Sequence, residues 1–129
     1  MKAQLFSPGF RLSKLDAVVL AVGAFGAAAA AKVEPWLGAA VGFAIGHFFL
    51  FCNVFRISRT LELAWAAAFL GMAGGTVVAQ TPGWMITTIA TFGVTFAVIS
   101  VDMCKASYHG IWWERINANL PVWWKANAV

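Results

Sequence analysis

The sequence predicts an all-α integral membrane protein. It reads as a four-helix bundle with both termini in the cytoplasm, followed by an amphipathic C-terminal segment at the membrane interface. Three observations carry this. Hydrophobic residues make up 61% of the 129 residues and charged residues 11%, against about 45–50% and about 25% in an ordinary soluble domain. A soluble chain of this length could not hide that much apolar surface. The charges are also clustered, with no Asp, Glu, Lys or Arg from Ala17 to Ala31, from Pro35 to Phe55, or from Leu63 to Val101. Finally, the basic residues fall on one side of the expected topology.

A hydrocarbon core needs about 20 apolar residues per helix. The third uncharged run is too long for one span, and Thr81-Pro82-Gly83 marks a turn near its middle. The expected spans are therefore about 15–31, 36–55, 61–80 and 84–102, within a bundle of residues 1–104. Span one is alanine-rich and follows Lys2, Arg11 and Lys14. That is also the pattern of a cleaved signal peptide; the expectation adopted is a retained span.

With four spans, Lys2, Arg11, Lys14, Arg56, Arg59, Lys105, Arg115 and Lys125 share one side, and Lys32 stands alone on the other. The positive-inside rule then places both termini in the cytoplasm, and a bacterial inner membrane is the expected location. The same asymmetry accounts for the net charge of +4. No nucleic-acid motif accompanies it, so the expected partners are the lipid bilayer, through its anionic headgroups, and other membrane subunits, not nucleic acid.

Span two carries Gly38, Gly42 and Gly46, small residues four apart that let two backbones approach closely. Span one, with Gly23, Gly26 and many alanines, is the expected antiparallel partner; a seam between two copies of the chain is the alternative. Span three offers a second close-approach patch at Gly71, Gly74 and Gly75. On a helical wheel His47 falls opposite the span-two glycines, beside Phe43, Leu50 and Phe51, and so faces spans three and four or a partner. The threonines of span four (Thr87, Thr88, Thr91, Thr95) are expected to bond backbone carbonyls of their own helix or a neighbouring helix.

His47 is the only ionisable residue deep within a span, and such residues are functional candidates by default. A packing histidine is the first reading, an axial ligand to haem or chlorophyll the second, and a proton or ion role the third. Met72 falls within about 3 Å of the same depth, counting 1.5 Å per residue from the helix ends, and so could supply a second axial ligand. No cofactor at all is the leading expectation. His47 and Cys52 are five apart, as are Cys104 and His109. Five residues of helix turn a side chain about 140° away, so no metal site is expected from either pair.

The charged rim comprises Asp16, Arg56, Arg59, Glu62 and Asp102. Arg59 and Glu62 are spaced to pair, and Arg56 is expected to reach Asp16 or Asp102. These residues form either an ion-pair belt or a docking surface. The tail, residues 105–129, places Tyr108, Ile111, Trp112 and Ile116 near one helical face, with Pro121 ending or kinking that helix. Its pairs Trp112-Trp113 and Trp123-Trp124 suit the headgroup region or a partner's pocket.

No P-loop, GxSxG, HExxH or paired-acid motif is present, and no enzyme activity is expected. In size and span count the chain resembles the small multidrug-resistance transporters and the small fluoride channels. It lacks the carboxylate inside the first span that the former resemblance implies, and the glycine-rich or asparagine motif of the latter. Succinate dehydrogenase anchors are similar in size, but the arginine-linked histidine motif expected of them is absent. The sequence therefore points to a small non-catalytic accessory subunit of a larger membrane complex, respiratory or photosynthetic in kind. A haem- or chlorophyll-binding electron-transfer subunit is the alternative, and a four-helix transporter or channel the second.

Overall fold

A computed structural model describes residues 5–127. They fold into helices with no strand among the described residues: α1 (Lys14–Val33), α2 (Pro35–Phe49), α3 (Arg59–Ala79), α4 (Trp84–Met103) and two short C-terminal helices, α5 (Trp113–Ile116) and α6 (Leu120–Asn127). A π-helical turn, Leu50–Val54, continues α2 without a break. Four stretches are long and apolar enough to cross a membrane: Lys14–Val33, Pro35–Val54, Arg59–Ala79 and Trp84–Met103. Each lies within two residues of its expected span at either end.

Ser13 starts α1 with a capping box. Its hydroxyl accepts from the Asp16 amide at 3.1 Å, and the Asp16 carboxylate accepts from the Ser13 amide at 2.8 Å. One extended residue, Glu34, separates α1 from α2, and Pro35 opens the second helix, where its missing N–H costs nothing. The two helices form the expected hairpin. Their closest approach is at Gly38, where an added Cβ would lie 2.6 Å from the Ala31 backbone. The contact loosens along the helix: a Cβ at Gly42 would stand 3.9 Å from Ala27, and one at Gly46 would meet nothing within 4 Å. Of the three glycines, Gly38 alone serves as a close-approach point inside the chain.

The α3–α4 hairpin is held differently, through hydroxyls. Thr76 and Thr87 meet at 3.1 Å across the seam. Thr88 donates to the Trp84 carbonyl and Thr95 to the Thr91 carbonyl within α4, as the residue types lead one to expect. Gly75 lets the connection fold back, since a Cβ there would lie 2.6 Å from the Thr81 carbonyl oxygen. Gly71 and Gly74 have no such neighbour.

Large aromatic rings join the two hairpins. Phe51, Trp65, Phe69 and Val98 form the buried core, with Phe43 and Ala44 packed against it. Helix α1 contributes no buried residue.

The tail departs from the single amphipathic helix expected of it. After α4 the chain runs through turns, and Trp112 adopts a left-handed φ of 58°. A continuous helix from Tyr108 to Ile116 is therefore not formed. Pro121 lies in the first turn of α6 instead of ending a helix.

Candidate functional site

The end of the bundle that carries both terminal segments is assembled around the π-helical turn. A helix leaves its last carbonyls without partners inside the helix, and a π turn shifts which ones these are. Here they are taken up one by one. The Leu50 carbonyl accepts from the Phe55 amide at 2.9 Å and the Phe51 carbonyl from the Ile57 amide at 2.9 Å. The Asn53 carbonyl accepts from the Arg11 amide at 3.1 Å, and the Val54 carbonyl from the Ile111 amide at 2.9 Å. The N-terminal arm and the tail are thus both pinned to the same turn of α2.

Further bonds close the assembly. The Asn53 side chain donates to the Arg11 carbonyl at 2.7 Å, so residues 11 and 53 are linked in both directions. The Gly9 amide donates to the His109 carbonyl at 2.8 Å. Gly110 lies directly on the Phe55 carbonyl, leaving no room for a Cβ. Tyr108 and Leu120 are buried, and the Tyr108 hydroxyl donates to the Ile111 carbonyl at 2.9 Å. Burial pushes the Tyr108 phenol up to about 12, with nearby Asp102 adding to the shift.

The four tail tryptophans separate in role. Trp113 and Trp124 pack edge-on against Phe6 of the N-terminal arm at 5.8 and 5.7 Å. Trp124 also meets His109 at 5.8 Å, and Trp123 meets Trp124 at 6.4 Å. Trp112 is exposed. The sequence offered no signal for the role of Phe6, which stands among residues with no helical or strand pattern.

Charges at this end pair locally. Arg59 and Glu62 pair at 3.5 Å, as their spacing implies. Asp102 pairs with Lys105 at 2.9 Å and accepts from the Ser58 amide at 3.3 Å. Asp16 is committed to the α1 cap. The expectation that Arg56 reaches Asp16 or Asp102 is therefore corrected. Arg56 has φ 49° and donates to the Ser7 carbonyl, because the turn after the π helix swings its side chain toward the N-terminal arm. Burial lowers the Arg56 guanidinium, and Arg11 lowers it further. His109 is lowered by burial first, although its Nδ1–H donates to the Ser107 carbonyl at 2.8 Å.

Two adjoining cavities open here. One of about 640 Å³ is lined by Ser7, Arg11, Arg56, His109, Trp123 and Trp124, among others. The second, of about 410 Å³, shares Arg11, Arg56, Ser107 and His109 with the first and extends to Asp16, Arg59, Glu62 and Asp102.

His47 lies elsewhere. It is buried between α2 and the other hairpin, against Phe43 at 4.2 Å, Trp65 at 4.6 Å, and Phe51 and Phe92 at 5.7 Å. A carbonyl can only accept, so the 2.8 Å contact between Nδ1 and the Phe43 carbonyl makes Nδ1 the protonated nitrogen. Nε2 then carries the lone pair, and it is buried without a partner. That tautomer suits a metal ligand. The surroundings do not suit a macrocycle, because Nε2 is covered and the Phe43 and Trp65 rings pack close against the imidazole. Met72 is not brought to the ring either. His47 is level with Trp65, and seven residues of helix put Met72 about 10 Å further along α3. The depth count taken from the helix ends missed this, because it cannot register how two helices are offset. No group of three or more His, Cys, Asp or Glu residues suited to a metal ion occurs among the described residues.

Helices and site together define a chain that is helical, without strands, among the described residues, with four potential membrane spans and a polar cleft at one end whose first cavity is basic and whose second carries both signs of charge. No protein-family model, curated protein or solved structure matches it.

Proposed function

We propose that the protein is a small non-catalytic subunit that packs its spans against other helices in a larger membrane complex, with both termini on the cytoplasmic side of a bacterial inner membrane. One observation carries the reading. Gly26, Gly46, Gly71, Gly74 and Gly93 all lie inside the helices, yet a Cβ on any of them would meet nothing within 4 Å. Glycine in a helix costs about 0.8–1.0 kcal/mol relative to alanine. In lipid, where apolar helices gain nothing by mere association, close backbone approach is what such residues offer in return. Only Gly23, Gly38 and Gly75 meet neighbours closer than 3 Å within the four long helices. The remainder form smooth surfaces suited to helices from outside the chain. The basic residues at the terminal end support the orientation.

Purification in mild detergent, followed by mass spectrometry, tests this. The native protein is expected to retain stoichiometric membrane subunits, and Gly26→Leu or Gly74→Leu to release them while the isolated chain keeps its helicity. A native protein that runs as a lone monomer, with both variants unchanged, would refute the subunit reading.

A further inference from the structure

The cleft at the terminal end continues into an apolar groove. Phe48 and Glu62 line both the second cavity and a narrower groove of about 230 Å³ between α2 and α3, which runs past Ala44, Ala66, Phe69 and Leu70. The second cavity, in which Arg11, Arg56 and Arg59 stand with Asp16, Glu62 and Asp102, thus shares one wall with the basic first cavity and another with an apolar groove. That sequence of surfaces matches an amphiphile with an anionic head and a hydrocarbon chain.

The charge balance points the same way. Glu62 and Asp102 are paired with Arg59 and Lys105, and Asp16 serves as a helix cap. Arg11 and Arg56 form no ion pair among the described residues, although both line the two cavities. In the first cavity, whose described lining includes no carboxylate, the two guanidinium groups repel each other, and an anion between them removes that repulsion; Asp16, which acts on Arg11, lines the second cavity instead. Arginine forks match phosphate oxygens in pairs, and basic pockets beside membrane helices are suited to anionic headgroups. Trp123 and Trp124 in the cavity wall suit the headgroup depth.

We propose that this end of the molecule binds an anionic phospholipid. The phosphate lies between Arg11 and Arg56, within reach of the Ser107 and His109 wall, and one acyl chain follows the groove from Phe48 toward Leu70. The site goes beyond the subunit reading and is tested separately, since it needs no protein partner.

Thermal unfolding of the delipidated protein in neutral detergent provides the test, with phosphatidylglycerol, phosphatidylcholine or inorganic phosphate added in turn. Phosphatidylglycerol is expected to raise Tm in a saturable manner, while phosphatidylcholine and inorganic phosphate leave it nearly unchanged. Arg56 also ties down Ser7, so Arg11→Gln is the cleaner variant: its backbone bonds to Asn53 do not involve the side chain. It is expected to weaken phosphatidylglycerol binding on the order of tenfold, the loss of one charge-assisted hydrogen bond. Ala66→Phe, which fills the groove, is expected to weaken the same lipid without creating a response to free phosphate. Equal shifts from phosphate and phosphatidylglycerol would overturn the lipid assignment in favour of a simple anion site. Equal shifts from the two lipids, or no change with Arg11→Gln, would overturn the site altogether.

Discussion

The imidazole of His47 lies flat on the indole of Trp65, with ring centroids 4.6 Å apart and the planes 15° from parallel. The stack is one link in a chain across three helices. The Trp65 indole N–H donates to the Thr95 hydroxyl at 2.8 Å, and Thr95 in turn donates to the Thr91 carbonyl at 2.9 Å. Phe69 also stacks on Trp65, 5.3 Å away and 11° from parallel. Trp65 thereby sets the offset of α2 against α3 and α4, and His47 is the nearest of the rings that α2 and its π turn present to it, ahead of Phe51 at 5.3 Å and Phe43 at 6.2 Å.

A packing role for His47 has a measurable consequence. His47→Phe keeps a ring on Trp65 and removes a buried acceptor that has no partner, so thermal stability in detergent is expected to be retained or to rise. His47→Ala removes the ring and leaves a cavity, at a cost of about 2–4 kcal/mol. A large loss of stability in the Phe variant would show that the imidazole nitrogens hold something the apolar ring cannot.

The tail is expected to behave as part of the bundle end and not as a detachable lipid anchor. Gly110 sits against the Phe55 carbonyl with no space for a Cβ, so Gly110→Ala must displace backbone, at about 1–3 kcal/mol for an overpacked contact. Limited proteolysis should then cut the variant between Lys105 and Arg115 faster than the native chain. Unchanged cleavage would mean that the docking of Ile111 on Val54 contributes little.

Acidification should loosen the same end through His109. Burial is the main reason its folded pKa lies below the ordinary value, with Arg56 acting in the same direction and the Ser107 carbonyl and Asp102 opposing. Arg11, Asp16, Arg59 and Glu62 line the same cavity wall. The unfolded chain therefore binds the proton more readily than the folded one. The stability gained from keeping His109 neutral is complete above about pH 6.5, the unperturbed value, and is lost as pH falls from there toward the folded pKa. Tm should decline between about pH 7 and pH 5, and His109→Gln should flatten the decline. Parallel curves for the two proteins would remove His109 as the cause.

Much of the architecture was legible along the chain. The uncharged runs ending at Ala31, Phe55 and Val101 delimit the four long helices, and Gly38 was placed correctly against α1. His47 was correctly turned away from Gly38 and toward the second hairpin. The i, i+3 spacing of Arg59 and Glu62 was enough to identify their pair. The errors have a common origin. Arg56 was assigned a carboxylate, Met72 was set level with His47, and the tail was drawn as one helix. Each depended on how distant segments meet.

Span length, the α1–α2 hairpin and the clustering of charge at the helix ends follow from the sequence alone. Transfer of side chains between water and hydrocarbon, and the small residues at Gly38 and Ala31, act residue by residue along the chain. The π turn at Leu50–Val54, the docking of Arg11 and Ile111 on its free carbonyls, and the wall that the polar cleft shares with the groove at Phe48 were decided only in three dimensions. Backbone amides and carbonyls are the same at every position, so their partners are chosen by where the folded chain brings them, not by the identity of the residues that carry them.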